Sequence, residues 1–186
     1  MEKHVNKLTS LAGQALLFFL IASGTVFAEP SVVEKDMDGD GRKETKVYYK
    51  KNNQIDKMVK DNNADGKPDE TIIFKNDAPD HGEKDANFDG KTDTWTNYDE
   101  TGNATVIAVD KHKDGKPDYW RYYKNGKIYK REYDRNFDGK LDFRILEENG
   151  RLVEKQYDDN FDGKFEKIIK APSKGSVLKV KTLNEP

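Results

Sequence analysis

Residues 110–142 read DKHKDGKPD-YWRYYK-NG-KIYKREY-DRNFDGKLD. Tyr119–Lys124 and Lys127–Tyr133 are rich in aromatic residues and flank the pair Asn125-Gly126. Asn-Gly between two such runs is the strongest short-range hairpin signal, because both turn residues must take positive φ. On each side of the hairpin lies a nine-residue acidic phrase. The unit is therefore loop, strand, turn, strand, about 24 residues long.

Working outward, the acidic phrase starts at Asp36, Asp61, Asp85, Asp110, Asp134 and Asp158, with successive spacings of 25, 24, 25, 24 and 24 residues. Even spacing over six copies means one supersecondary unit used repeatedly. The turn between strands is Asn149-Gly150 in the fifth unit, Asn52-Asn53 in the first and Thr101-Gly102-Asn103 in the third. In the second unit, 76–82 (NDAPDHG) reads as irregular, so its return strand is expected to be short or missing. The expected architecture is all-β: tandem hairpins in an elongated meander or solenoid, with a closed barrel or small propeller as the alternative. Phe88, Phe137, Phe161, Tyr133 and Tyr157 are expected to join an aromatic ladder running from unit to unit. For Trp95, Trp120 and Tyr122, a place in the core outweighs a sugar-binding platform.

Within the phrase, position 1 is always Asp, and position 3 is Asp38, Asn63, Asn87, His112, Asn136 and Asn160. Position 5 is Asp40, Asp65, Asp89, Asp114, Asp138 and Asp162, and position 6 is always Gly. Position 9 is Glu44, Asp69, Asp93, Asp118, Asp142 and Glu166. Calcium takes six to eight hard oxygen ligands at about 2.3–2.6 Å in a tolerant geometry, and alternating positions 1, 3 and 5 can present theirs to one centre. Gly at 6 permits the reversal that turns the carbonyl of residue 7 inward, here Arg42, Lys67, Lys91, Lys116, Lys140 and Lys164. The acid at 9 closes the shell, directly or through water. Asx-rich turn chemistry alone explains one such phrase, but not three crowded carboxylates in every copy, which repel one another unless a cation intervenes. His112 is a poor calcium ligand, so the fourth site is expected to be the weakest.

The phrase resembles the first nine residues of an EF-hand loop. Position 12, however, is Val47, Ile72, Thr96, Arg121, Ile145 and Ile169, where an EF-hand has a bidentate Glu. An acid at 9 followed by strand residues is more similar to the calcium loops of integrin-type β-propeller repeats. The resemblance covers the loops alone and implies ligand positions, not an overall fold.

Composition is consistent with a metal-stapled chain. Of 186 residues, 34% are hydrophobic, 37% are charged and none is Cys, which excludes disulfides and a lipid-anchored amino terminus. Residues 1–28 read as a signal peptide: basic Lys3, His4 and Lys7, an apolar stretch densest over 15–22, and Val26-Phe27-Ala28 before the cleavage point. The stretch is short for a bilayer span, so no span is expected after cleavage. Residues 29–170 would carry the six units, and 171–186 a last strand (177–181) and a tail. Export places the protein in the periplasm, at the cell surface or outside the cell. Nineteen acids sit at loop positions 1, 3, 5 and 9, leaving the hairpins basic; loaded with calcium, the chain would favour an anionic glycan or cell-envelope component. Nucleic acid is not an expected partner. Neither is an enzyme expected, since the only Ser residues beyond 28 are Ser31, Ser173 and Ser176 and the only His residues are His81 and His112. The leading expectation is a calcium-binding protein with a structural or binding role; a polysaccharide-binding adhesin using the basic aromatic faces is the alternative.

Overall fold

The computed structural model describes residues 31–37, 39–172 and 179–182. The signal-peptide reading, Asp38 and residues 177–178 of the expected last strand lie outside these. Among the described residues there is no helix, and thirteen strands form one antiparallel sheet in strict chain order. They are β1 (Ser31–Lys35), β2 (Thr45–Tyr49), β3 (Ile55–Lys60), β4 (Glu70–Lys75), β5 (Ala78–Lys84), β6 (Thr94–Tyr98), β7 (Ala104–Val109), β8 (Tyr119–Lys124), β9 (Lys127–Tyr133), β10 (Phe143–Glu148), β11 (Arg151–Tyr157), β12 (Lys167–Lys170) and β13 (Lys179–Thr182). The outer strands β1 and β13 do not pair, so the sheet is an open meander rather than a barrel or propeller.

Every acidic phrase joins an odd-numbered strand to the next even one, and every short turn an even strand to the next odd one. In an antiparallel meander this places all six acidic loops along one rim and the turns along the other. Two strands advance the sheet by about 9.6 Å, so the loops recur at roughly that interval.

The turns follow their chemistry. Asn125-Gly126 and Asn149-Gly150 take positive φ at both residues, and so do Asn76 and Asp77 (52° and 61°). This last pair corrects the sequence expectation for the second unit: its return strand β5 is complete at seven residues. Asn76-Asp77 serves as a tight turn in the manner of Asn-Gly. Pro79 sits next to it, where a bulge between Ile73 and Phe74 shifts the register and the missing N–H is tolerated. Gly82 is covered by the Tyr98 ring, whose Cε2 would lie 3.7 Å from an added Cβ. Burial pushes the Tyr98 hydroxyl pKa up, with the Glu70 carboxylate adding to it. Within the described residues the last strand covers Lys179–Thr182, one residue past its expected end.

The apolar interior is thin. Among the described residues, only four aliphatic side chains are buried: Val47, Ile55, Val59 and Ala108. Stability comes instead from rows of side chains crossing the strands. One row stacks Tyr119, Tyr133, Phe143 and Tyr157, with successive ring centroids 4.7, 5.3 and 4.8 Å apart. The ladder expected from sequence thus forms, but Phe88, Phe137 and Phe161 lie outside it, exposed on the loops. On the opposite face the register seats Trp95 and Trp120 on either side of Ala108.

Next along that face is a polar chain. Glu132, 2% exposed, accepts from Arg144 Nε at 2.6 Å and meets Lys130 Nζ at 3.1 Å, while the Tyr122 hydroxyl also donates to it. Arg144 continues to Gln156 at 2.9 Å, and Gln156 to Glu154 at 2.6 Å. Burial would raise the Glu132 carboxyl, but the bonds from Tyr122, Lys130 and Arg144 together hold it below the usual value. Replacing Glu132 by Ala strands these donors, so Glu132→Ala is expected to cost about 2–3 kcal/mol. A drop in Tm of roughly 5–10 °C in thermal melts checks this; an unchanged melt would show that the chain contributes nothing net.

Candidate metal centres

Each loop leaves one strand and returns to the next, tied at both ends by the backbone ladder. The residue-9 amide donates to the carbonyl before position 1, as Asp69 to Lys60, Asp93 to Lys84 and Asp142 to Tyr133, at 2.8–3.0 Å. The position-1 amide then donates to the residue-9 carbonyl of the preceding loop: Asp61 to Glu44, Asp85 to Asp69, Asp110 to Asp93, Asp134 to Asp118 and Asp158 to Asp142, at 2.7–2.9 Å. Sheet pairing therefore links each acidic loop to the next.

Inside the loop, two residues adopt positive φ. Position 6 is Gly in every copy, with φ of 87–93°. Position 4 is Gly39, Ala64, Phe88, Lys113, Phe137 and Phe161, with φ of 61–83°. Bent this way, the backbone turns its amides onto the carboxylates. Position 1 Oδ2 accepts from the position-6 glycine amide in all six loops at 2.6–2.9 Å. Position 5 Oδ1 accepts from the residue-7 amide in all six at 2.8–2.9 Å. Asn63, Asn87, Asn136 and Asn160 accept from the position-5 amide through Oδ1. These bonds aim the side chains and leave oxygen lone pairs over, since an ionised carboxylate can accept about four hydrogen bonds. They also favour the charged form: the Gly41 and Gly39 amides lower the Asp36 pKa, and the Lys140 amide lowers that of Asp138.

Position 9 divides the loops into two kinds. In loops 2–5 the shorter Asp side chain turns back onto the chain, its Oδ2 accepting from the position-2 amide at 2.6–3.0 Å. Arg135 also grips the other Asp142 oxygen. In loop 6 the longer Glu166 reaches the centre, where both carboxylate oxygens are buried without a hydrogen-bond partner. In loop 1, Glu44 Oε1 accepts from the Met37 amide at 2.9 Å while its Oε2 is buried and unpartnered. Among the described residues, two groups of carboxylates converge: Asp36 with Asp40 and Glu44, and Asp158 with Asp162 and Glu166, each with one oxygen per residue within 4.8 Å of the others. A calcium shell of radius about 2.4 Å holds ligand oxygens no more than about 4.8 Å apart. The donors fit: hard oxygens, mixed carboxylate and amide, with buried lone pairs unused. Where Asp stands at position 9, its carboxylate would need a bridging water to join such a shell.

Burial follows position along the rim. Asp85, Asp110, Asp134 and Asp158 at position 1, and Asp69, Asp118 and Asp142 at position 9, are all buried, Asp158 completely. Asp36, in the loop at the open edge, is exposed. The His112 imidazole is stacked on Phe137 of the next loop, with centroids 4.0 Å apart and planes at 11°. In the fourth loop the position-4 amide of Lys113 donates to Asp110 Oδ1 at 2.5 Å, as that of Gly39 does to Asp36 Oδ1 at 2.6 Å in the first. No local signal in the residues foretells the cross-loop stack, because His112 and Phe137 are brought together only by the sheet register.

A scan against protein-family models and a search of curated proteins found no match. One solved structure, a mutant of S. aureus TarM in complex with Fondaparinux, alpha-GlcNAc-glycerol and UDP, is similar over 66% of this chain and 21% of that one. The TM-score is 0.30 at 11% identity, and this chain spans about a fifth of that protein's length. Likeness at this level carries no functional weight.

Proposed function

We propose that the chain is an exported calcium-binding protein in which the ion at each loop stabilises the sheet. The observation that carries this reading is the pair of position-9 carboxylates with buried, unpartnered oxygens, Glu44 Oε2 and both oxygens of Glu166, set among converging aspartates. Buried charge without a partner is costly, and a divalent cation is the partner that three carboxylates share. Magnesium is a poorer fit, since it demands a near-ideal octahedron and keeps several waters.

Each loop follows one strand and precedes the next, so positions 1 and 9 clamp the ends of neighbouring strands to one centre. Binding at the rim thus becomes cohesion of the sheet. Isothermal titration of residues 29–186 with Ca²⁺ is expected to show binding at sub-millimolar to millimolar concentration, with a much weaker response to Mg²⁺. Glu44→Gln and Glu166→Gln each remove one charged ligand and are expected to weaken one site about tenfold or more. Unchanged isotherms for both variants would remove position 9 from the shell.

A further inference from the structure

The backbone at position 4 of the loop is left-handed in all six copies, a conformation that disfavours bulky side chains and suits Gly, as at Gly39. Three loops nevertheless place Phe there, and Phe88, Phe137 and Phe161 remain 49%, 44% and 41% exposed. Loop geometry does not require an aromatic: Ala64 adopts the same φ, 61°, in the second loop, and Lys113 takes 65° in the fourth. Each phenylalanine is therefore strained and about half in water, and none joins the aromatic row of the sheet; of the three, Phe137 alone has a ring contact, the His112 imidazole of the preceding loop. Backbone strain combined with exposed apolar surface points to function outside the fold.

The topology puts these rings on one rim of the sheet. The third, fifth and sixth loops share the loop rim, so Phe88 and Phe161 stand three repeats, about 30 Å, apart. Exposed Lys67, Lys91, Lys116, Lys140 and Lys164 at position 7 lie along the same rim. A hollow of about 290 Å³ opens between the second and third loops, lined by Phe88, Lys67 and Lys91 together with Asp65 and Asp89. Without metal the aspartates repel an anion there. With their charge neutralised by calcium, the lysines dominate and the rim becomes cationic, with apolar tips.

We propose that the loop rim is a calcium-dependent docking surface for a bilayer containing anionic phospholipid, into whose interface Phe88, Phe137 and Phe161 insert. This rests on the calcium reading above. A soluble polyanion would use the lysines but has no apolar phase for three phenyl rings, whereas a membrane surface takes both.

The test is co-sedimentation of residues 29–186 with phosphatidylglycerol–phosphatidylcholine vesicles and with pure phosphatidylcholine vesicles, in calcium and in chelator. Thermal melts are run on the same samples. Binding is expected only to the anionic vesicles and only in calcium. Phe88→Ala, Phe137→Ala and Phe161→Ala combined are expected to lower vesicle affinity more than tenfold while keeping the calcium-dependent rise in Tm, because Ala64 shows that the backbone accepts alanine. A chain that calcium stabilises but that ignores anionic vesicles overturns the docking proposal alone, as does a triple variant that binds like the parent. Vesicle binding lost to soluble heparin equally in parent and triple variant overturns it in favour of a glycan partner. No calcium effect on Tm overturns the metal reading and docking together.

Discussion

Moving residues 29–186 from millimolar calcium into excess chelator is expected to lower Tm by at least about 15 °C and to strip most of the β-signal from circular dichroism. A site held at about ten times its dissociation constant adds roughly 1.4 kcal/mol to folding. Six such sites supply about 8 kcal/mol, which matches the entire stability of an ordinary domain at about 5–15 kcal/mol. At about 2–4 °C per kcal/mol for a chain of this size, the shift is of order 15–30 °C. The fold offers little to compensate, because four buried aliphatic side chains and one aromatic row supply the main apolar cohesion of the described sheet. Chelation also returns crowded carboxylates at the rim to mutual repulsion, which opens the loop ends of the strands first. A melt that is the same in calcium and chelator would leave the sheet standing on its cross-strand rows alone.

Asp158→Ala is expected to be the most damaging single substitution on the rim. Asp158 is fully buried, accepts from the Gly163 amide at 2.7 Å and from the Asp162 amide at 3.2 Å, and belongs to one of the two converging carboxylate groups. Truncation loses both amide bonds, at about 1 kcal/mol each, and the sixth site, at roughly 1.4 kcal/mol. A fall in Tm of about 7–14 °C in calcium follows, shrinking in chelator to the part due to the amides. Asp36→Ala makes the matched comparison: the same loop position and the same position-6 amide partner at 2.8 Å, but exposed at the open edge of the sheet. Its loss is expected to cost clearly less. Equal effects would mean that burial along the rim has no bearing on how strongly a loop holds its neighbours.

Much of this was legible in the residues. The six-fold phrase and the Asn-Gly turns specify hairpins, an even period and a common loop side, because period-2 strands joined by alternating loop and turn leave few other topologies. Position 9 was legible as an acid, but not that the Asp side chains fold back onto the position-2 amide, that Glu44 makes the same bond with one oxygen while its other is left unpartnered, or that Glu166 reaches in with both. The second unit misled because Pro79 and Gly82 are poor strand residues in isolation. Their tolerance comes from a bulge beside the turn and from the Tyr98 ring lying across from β6, neither of which is local in sequence. The phenylalanines misled for the opposite reason. Their type can be read directly, but not the left-handed backbone that throws them outward, away from the row that Tyr133 and Tyr157 join.

The most direct measurement of the central claim is native mass spectrometry of residues 29–186 sprayed from about 1 mM calcium, the upper end of the range expected for extracellular modules. The expected spectrum is that of a chain carrying five or six calcium ions, the weakest lost first and restored when His112 is replaced by Asn. A chain that keeps the apo mass under these conditions would contradict it, and the six loops would then be turns held by their own hydrogen bonds.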